Sequence, residues 1–488
     1  MATVLLTHTY FLRFDPKQWA TGQPYAPMGT LYAAAVMREA GHKVIFADSM
    51  FAEGPEHIQP YLDQFQPDYV VLYDDGFNYL TKMCLTNMRE AGFDMIRAAK
   101  NRGATVIVSS SDATDQKEKY LSNGADYIII GEGEQTLFEL LEADPRNLGN
   151  TETVAGLAYL KDAQLFRTSA RPVMKELDEI PFPAWDMIDL DPYREMWMEH
   201  AGYFSMNMAT TRGCPFKCNW CAKPIYGNRY NSRTPEHVME ELLLLKKYYQ
   251  FDHIWFCDDI FGLKPGWVKS FADLVQQHEL SFRFKIQARA DLLLEEDMIC
   301  DLARAGCDVV WMGAESGSQK ILDAMDKGTK VEQIYTATRL LKAHGIRPAF
   351  FIQFGYPGEM KEDIRNTIRM ICELLPEEMG ISVSYPLPGT PFFERVKDEL
   401  KQKSNWTDSD ELALMFRNTY SAAYYRQLHR YVHRKHRLHM ALAAARRLAA
   451  HPVNTFGKQW RKACSAFYYA PASWFDHFKL KRLSQPQI

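Results

Sequence analysis

Two patterns alternate along this chain. Short runs rich in Val, Ile and Leu, apolar at nearly every position, recur between longer stretches whose apolar residues return every three or four positions. Runs of the first kind suit strands buried on both faces, and stretches of the second suit helices packed on a sheet. In residues 1–145 the strand candidates are Thr3–Leu6, Lys43–Ala47, Tyr69–Leu72, Thr105–Val108 and Tyr127–Ile130. Helical segments such as Thr30–Ala40 and Lys117–Asn123 lie between them. This alternation predicts a doubly wound parallel sheet of Rossmann-like type, whose ligands sit at the carboxyl ends of the strands.

Residues 146–200 change character. PRNLGNTET is a polar turn region and DEIPFPAWDMIDLDPY is rich in Pro and acids, so this stretch reads as a linker. Alternation resumes in residues 201–395. The strand candidates there are Phe204–Thr210, His253–Cys257, Arg283–Ala288, Asp308–Gly313, Pro348–Phe354 and Ile381–Tyr385. Helices fit between them at Pro235–Tyr249, Pro265–His278, Glu295–Ala305, Val331–His344 and Lys361–Leu375, the first opened by Thr234-Pro. Six β/α units predict a partial TIM-like (β/α)6 barrel with its site at the C-terminal ends of the strands. Residues 396–488 form a C-terminal extension, helical over 395–450.

Composition narrows the class. A chain of 488 residues, 47% hydrophobic and 24% charged, suits an ordinary globular protein of two or three domains. No apolar run reaches the ~20 residues of a membrane span. The opening MATVLLTHTYFLRF has no basic region or cleavage site and reads as a first strand rather than a signal peptide. Nine cysteines in such a chain point to the cytoplasm and to thiols or metal ligands rather than disulfides. The net charge of −4 hides an asymmetry. From Ser421 onward there are 13 Lys and Arg against one acid, Asp476, a net +12, so the remainder carries −16 (−4 minus 12).

The strongest chemical signal is Cys214-Pro-Phe-Lys-Cys218-Asn-Trp-Cys221, in the loop leaving the first barrel strand. Thiolates are the usual ligands of Fe–S clusters. Three of them hold three irons of a [4Fe–4S] cubane and leave the fourth open. An open iron can chelate the amino and carboxylate groups of S-adenosylmethionine (SAM), and an electron passed through the cluster then releases a 5′-deoxyadenosyl radical. Structural zinc is the competing reading, but it wants four closed ligands, usually as paired C-x2-C units, and no second pair follows.

The run TTRGCPFKCNWCAKP, with Trp220 before the last cysteine, resembles the cluster loop of the radical SAM superfamily. Gly313-Ala-Glu315-Ser316-Gly317, Gly355-Tyr-Pro357-Gly358-Glu359 and Pro386-Leu-Pro-Gly389-Thr390 end the fourth, fifth and sixth strands and resemble that family's SAM-binding turns. Glycines there would let backbone approach an adenosyl group, and Glu315 and Ser316 offer polar atoms. Ahead of the barrel, PMGTLYAAAVMREAGHKVIFAD, NGADYIIIGEGEQTLFELLE and DEIPFPAWDMID resemble the cobalamin-binding class of the superfamily. Further runs resemble proteins grouped with the anaerobic Mg-protoporphyrin IX monomethyl ester cyclase and hopanoid-modifying enzymes. The resemblance implies cobalamin in the first domain, SAM and a cluster in the barrel, and an electron donor such as flavodoxin or ferredoxin. It implies modification of an unactivated carbon of a small organic or lipid-soluble substrate, by methylation or oxidative cyclisation.

Other positions stay open. A D-x-H-x-x-G loop for an axial histidine is absent, since His8 lies in Leu6-Thr-His8-Thr-Tyr-Phe11, so cobalamin is expected without a protein imidazole. Gly131, Glu132 and Gly133 form a candidate cofactor-edge turn, with a helix cap as the alternative. Arg289 is a candidate for the SAM carboxylate, because a guanidinium forks onto carboxylates. Asp258 and Asp259 end the second strand as site residues or as caps. Basic residues in the tail interleave with Trp460, Phe467, Tyr468, Tyr469, Trp474, Phe475 and Phe478. A barrel-capping helix pair and peripheral contact with the inner membrane face both fit that pattern, and nucleic acid is the least expected partner. Two alternatives to a carbon-modifying enzyme remain: a corrinoid- or SAM-binding sensor without turnover, and a tRNA-modifying enzyme.

Overall fold

The computed structural model describes residues 1–144, 151–221, 226–400, 405–409, 412, 414–450 and 459–485. They divide into two compact units, residues 1–216, 222–286 and 405–411 in the first, residues 217–221, 287–404 and 412–488 in the second.

The first unit opens with a seven-stranded sheet of β1 (Thr3–Thr7), β2 (Lys43–Ala47), β3 (Tyr69–Tyr73), β4 (Thr105–Ser109), β5 (Tyr127–Ile129), β6 (Leu157–Lys161) and β7 (Gln164–Arg167), in the order β2-β1-β3-β4-β5-β6-β7. β1 to β5 pair in parallel. The apolar runs are explained by burial on both faces. Val4, Leu6, Val71 and Ile107 pack with Ala33, Ala34 and Met37 of α1 (Met28–Glu39), while their neighbours Leu5, Val70, Leu72, Val106 and Val108 are equally buried. Each such side chain contributes about 1.5–3 kcal/mol on burial. The Thr30 hydroxyl donates to the Tyr73 carbonyl at 2.6 Å and ties α1 to the end of β3.

β6 and β7 correct the expected linker. Residues 157–167 form an antiparallel hairpin that extends the first sheet beyond β5. Its two-residue turn, Asp162-Ala163, has φ of 51° and 62°, the left-handed pair that matches strand twist in a tight hairpin.

The barrel strands are β8 (Ser205–Met208), β11 (His253–Phe256), β12 (Arg283–Ala288), β13 (Cys307–Glu315), β14 (Arg347–Phe354) and β15 (Glu378–Val383), in the sheet order β15-β14-β13-β12-β11-β8. The boundary between the units falls inside β12. A short ribbon of β9 (Thr211–Arg212) and β10 (Asn231–Ser232) follows β8. α2 (Pro235–Tyr249) starts where expected, with the Thr234 hydroxyl accepting from the His237 amide at 3.2 Å. In the first unit the N-terminal end of this sheet is plugged. Lys285 lies over the rings of Tyr25, Trp197 and Trp255 at 5.2, 6.0 and 5.4 Å, and the Tyr25 hydroxyl meets Ser205 Oγ at 3.2 Å.

The second unit carries β13 to β15 with α3 (Lys361–Leu374), then α4 (Ala422–Ala450) and α5 (Ala466–Leu483), which run antiparallel against each other. Between 400 and 421 the described residues form no helix, so the expected helical stretch begins later than its sequence suggests. Among the described residues no helix is long and apolar enough to cross a membrane.

Candidate active site

In the first unit the chain leaves β8 and is fixed before it reaches Cys214. Asp258, just past β11, accepts from the amides of Thr210 and Thr211 at 2.7 and 2.8 Å and from the Thr210 hydroxyl at 2.5 Å. Burial pushes its carboxyl up to about 6. Asp258 thus holds the strand that feeds the cysteine loop rather than capping the helix that follows β11. Asp259 pairs with Lys82 at 3.0 Å. Gly213 is required: its φ is +84°, and a Cβ there would overlap the Arg229 carbonyl oxygen.

Arg212, two residues before Cys214, is 4% exposed. It donates to Glu134 at 2.7 and 3.2 Å and to Glu132 at 3.4 Å. The rings of Tyr226, Phe77 and Tyr32 surround its guanidinium at 5.0, 5.5 and 5.6 Å. Burial raises the Glu132 carboxyl, with Arg212 pulling against it. The Gly131-Glu132-Gly133 turn, expected at a cofactor edge, therefore holds a protein partner through its carboxylates. Gly133 packs where a Cβ would overlap the Tyr73 hydroxyl.

The strand order reverses between β1 and β3, the switch point where ligands of such sheets bind. Thr9 donates from its amide and hydroxyl to Asp74 there at 2.7 to 3.0 Å. A cavity of about 20 Å³ remains beside them, bounded by Arg89, Asp112 and Tyr120. Arg89 forks onto Asp112, and Tyr120 donates to Asp112 at 2.8 Å. His8 is 1% exposed and bonded to Asp48 at 2.8 Å and the Ser49 amide at 3.2 Å. The polar side chains of Thr9, Asp74 and Arg89 at this switch point are those that would border a corrinoid.

In the second unit the anchor of the cysteine loop is Asn219, 1% exposed. Its amide donates to the Met325 carbonyl at 3.1 Å and its carbonyl accepts from the Phe392 amide at 2.9 Å. Its Nδ2 donates to the Ala324 carbonyl at 2.9 Å and to Asp326 at 2.6 Å, and its Oδ1 accepts from the Tyr356 hydroxyl at 2.8 Å. Cys218 and Trp220 are thus held on either side of a fixed residue. Arg289 Nη1 lies 3.8 Å from Cys218 Sγ, while its other nitrogens fork onto Asp291 at 3.0 and 2.9 Å. The fork expected for a SAM carboxylate is taken by Asp291. Lys327 is buried, 3.0 Å from Glu315 and 5.7 Å from the Trp220 ring centroid. Burial alone would lower its pKa, but the Glu315 carboxylate and then the Cys218 sulfur outweigh burial and raise it. A guanidinium 3.8 Å from the sulfur complements a negatively charged ligand group there.

Glu315 has φ of +54°, at an irregularity in the pairing of β13 with β14. The lack of a side chain at Gly313 leaves the room that the Lys327–Glu315 pair fills. Ser316 is fully buried and turned inward, its Oγ 3.1 Å from Thr367 Oγ1. At Gly317 a Cβ would stand 2.5 Å from the Asn366 carbonyl oxygen, so α3 packs directly on this turn. Gly355 has φ of +78° and its amide donates to Glu359 at 2.6 Å. Glu359 is fully buried, its carboxyl pushed up to about 8 by burial, and its other oxygen has no partner among the described residues. Pro357 is exposed. The structure thus gathers Cys218, Trp220, Arg289, Gly313 and Glu315, while Ser316 faces the interior.

Cys214 and Cys218 are half-buried and Cys221 is exposed, and no disulfide joins any of the nine cysteines. Among the described residues no three metal-ligating side chains converge; residues 222–225, which continue the loop, lie outside the described set. Sequence reasoning missed Arg212, Asn219 and Lys327. Each is defined by partners that only the fold supplies.

Two family descriptions match: the Radical SAM superfamily over residues 208–371 and the B12 binding domain over residues 20–141. An uncharacterised methyltransferase of Pyrococcus horikoshii is 27% identical over 78% of this chain and 80% of its own length. The anaerobic magnesium-protoporphyrin IX monomethyl ester cyclase of Rubrivivax gelatinosus is 25% identical over 77% of this chain and 67% of its own. The hopanoid C-3 methylase of Methylococcus capsulatus is 25% identical over 75% and 67%. Among solved structures, the radical SAM methyltransferase TsrM of Kitasatospora setae, with cobalamin and a [4Fe–4S] cluster bound, superposes with a TM-score of 0.67 at 19% identity, covering 82% of this chain and 78% of that one. The cobalamin-dependent SAM radical enzyme OxsB, with aqua-cobalamin bound, superposes with a TM-score of 0.73 at 18% identity, covering 99% and 72%.

Proposed function

The chain belongs to the cobalamin-binding radical SAM family, and from that premise we propose that it is an enzyme which cleaves SAM reductively and methylates or oxidatively cyclises an unactivated carbon. When bound, the cluster supplies the electron that splits the sulfonium and cobalamin supplies a methyl carrier. The observation that carries this reading is the three-cysteine loop. It leaves a barrel strand held by Asp258, and Cys218 sits beside Arg289 and Lys327.

In this reading Cys214, Cys218 and Cys221 hold the cluster. Trp220, Gly313, Glu315, Gly355 and Pro357 border the SAM side, and Arg289 and Lys327 balance thiolate charge. Glu132, Glu134 and Ser316 position neighbouring backbone rather than touch ligand. The first domain's strand ends would hold the corrinoid, and no D-x-H-x-x-G loop offers it a histidine. The electron donor is a small redox protein such as flavodoxin or ferredoxin. The substrate is a small organic or lipid-soluble molecule, and the basic tail brings the enzyme to the inner membrane face.

The test is anaerobic reconstitution with iron, sulfide and cobalamin, followed by product analysis. Cys214→Ala, Cys218→Ala and Cys221→Ala should each abolish 5′-deoxyadenosine formation while leaving the circular dichroism spectrum unchanged. A single variant that still forms it at the wild-type rate overturns the assignment. Gain of CH2 in the product identifies methylation, and loss of hydrogen identifies cyclisation.

A further inference from the structure

The C-terminal helix α5 buries one face and leaves its large aromatic side chains exposed on the other, which a helix serving only to cap a fold does not need. Its inner face packs on α4 through Ser473, Asp476 and Leu480, which are 6%, 2% and 8% exposed. Asp476 accepts there from Gln427 at 2.9 Å and from Arg434 at 2.8 Å. The opposite face carries Phe467, Trp474 and Phe478 at helical spacing, 85%, 65% and 46% exposed, with Tyr468 and Phe475 beside them. The stripe runs about 16 Å along the helix at 1.5 Å per residue. Trp474 and Phe478 touch edge to face at 4.5 Å, so they form one surface rather than scattered rings. Contiguous exposed aromatic surface of this kind marks an interaction site.

The charge around the stripe selects the partner. The only acid on α4 or α5 is Asp476, and it is buried on Arg434. Lys479, Lys481 and Arg482 in the last turns of α5, and Arg426, Arg430 and Arg437 on α4, are all exposed. Exposed aromatic rings on a helix pair whose exposed charges are all cationic complement a layer of anionic headgroups over acyl chains. A second copy of the same surface would bring like charges together. We infer that the outer face of α5 is a docking surface for an anionic phospholipid bilayer, with the helix lying flat and Phe467, Trp474 and Phe478 at headgroup depth.

The geometry also sets which part of the second unit comes near the lipid. Lys361 Nζ lies 3.4 Å from Ser484 Oγ, just past the end of α5. Lys361 opens α3 directly after the Gly355–Glu359 turn. The docking helix therefore ends beside the C-terminal end of β14, where the turns of the candidate site lie. A molecule dissolved in the bilayer would meet that edge of the unit first. The docking surface does not depend on the catalytic reading, and SAM cleavage can be assayed without vesicles.

The experiment is flotation of the full-length protein with phosphatidylcholine vesicles and with vesicles of phosphatidylglycerol and phosphatidylcholine, at low and high salt. Wild type should float with the anionic vesicles, and at least ten-fold less at high salt or with phosphatidylcholine alone. The triple variant Phe467→Ala, Trp474→Ala, Phe478→Ala should lose that binding while keeping its thermal midpoint and its SAM cleavage. Brominated lipid should quench wild-type fluorescence more than that of Trp474→Phe. Equal flotation of wild type and triple variant overturns the inference. So does flotation of neither, or a concentration-dependent dimer in sedimentation that the triple variant abolishes, which would assign the stripe to a second copy.

Discussion

Replacing Arg212 with Met should unfold the first unit at much lower denaturant than wild type. The side chain is 4% exposed and is shared by two carboxylates, Glu132 and Glu134, at 6% and 3%. Methionine fills similar volume and keeps contact with Tyr32, Phe77 and Tyr226, but leaves both carboxylates buried and unpaired. Breaking a buried pair in this way costs about 3–5 kcal/mol, and losing the cation over three rings adds roughly 0.5–2 kcal/mol. A domain is stable by about 5–15 kcal/mol, so the loss is a large fraction of the whole. The pH dependence follows from the sign of the carboxyl shift. Burial already raises Glu132 with Arg212 present, and without the guanidinium it rises further. An acid raised in the folded state stabilises below its unfolded pKa and loses that contribution as pH climbs through the folded value. The deficit of Arg212→Met should therefore be small near pH 4 and largest at neutral pH. Urea unfolding followed by circular dichroism at both pH values measures it. The triple variant Arg212→Met, Glu132→Gln, Glu134→Gln should recover most of the loss. If Arg212→Met matches wild type at pH 7, or if the triple variant is no better than the single, the ion triad is not what holds this turn.

Two further outcomes test the second unit. Glu359 is buried with its carboxyl pushed up to about 8 from 4.5, so its stabilising contribution is full below 4.5 and is lost as pH rises through 8. Wild type should lose thermal midpoint between pH 6 and 9 and Glu359→Gln should not, the gap approaching about 5 kcal/mol at most; parallel profiles would refute this. Lys327→Met should cost about 3–5 kcal/mol by stranding Glu315 and should lower iron retained per chain. Adding Glu315→Gln should restore the midpoint but not the iron, and a double variant no more stable than Lys327→Met would show that the pair is not the cause.

Much of the fold was legible because burial on both faces leaves an unmistakable trace. Lys43–Ala47 and Arg283–Ala288 match their predicted bounds, and the other parallel strands differ from theirs by a few residues. The hairpin of β6 and β7 carried a readable signal, two apolar runs around Asp162-Ala163, yet it sat in a stretch whose Pro-rich part invited the reading of a linker. Helix α5 contains Pro471, a residue that argues against a helix from sequence alone. The cysteine spacing was legible because the three thiols lie within eight residues. Arg212 and Asn219 were not, because their partners stand some 80 to 137 positions away in sequence. His8 shows the reverse case: a conspicuous residue near a strand end that the fold spends on Asp48.

The plug of Tyr25, Trp197, Trp255 and Lys285 bears on the order of events in turnover. In the first unit it occupies the N-terminal end of the barrel sheet. A molecule reaching the inner face above that plug would enter and leave past the strands' C-terminal ends. A shared doorway imposes a queue: whatever settles deepest must arrive first and depart last. Initial-rate patterns should then be compulsory-ordered, with the outermost component competing against its own product. An inhibitor lodged near the entrance would trap, rather than displace, what lies below it.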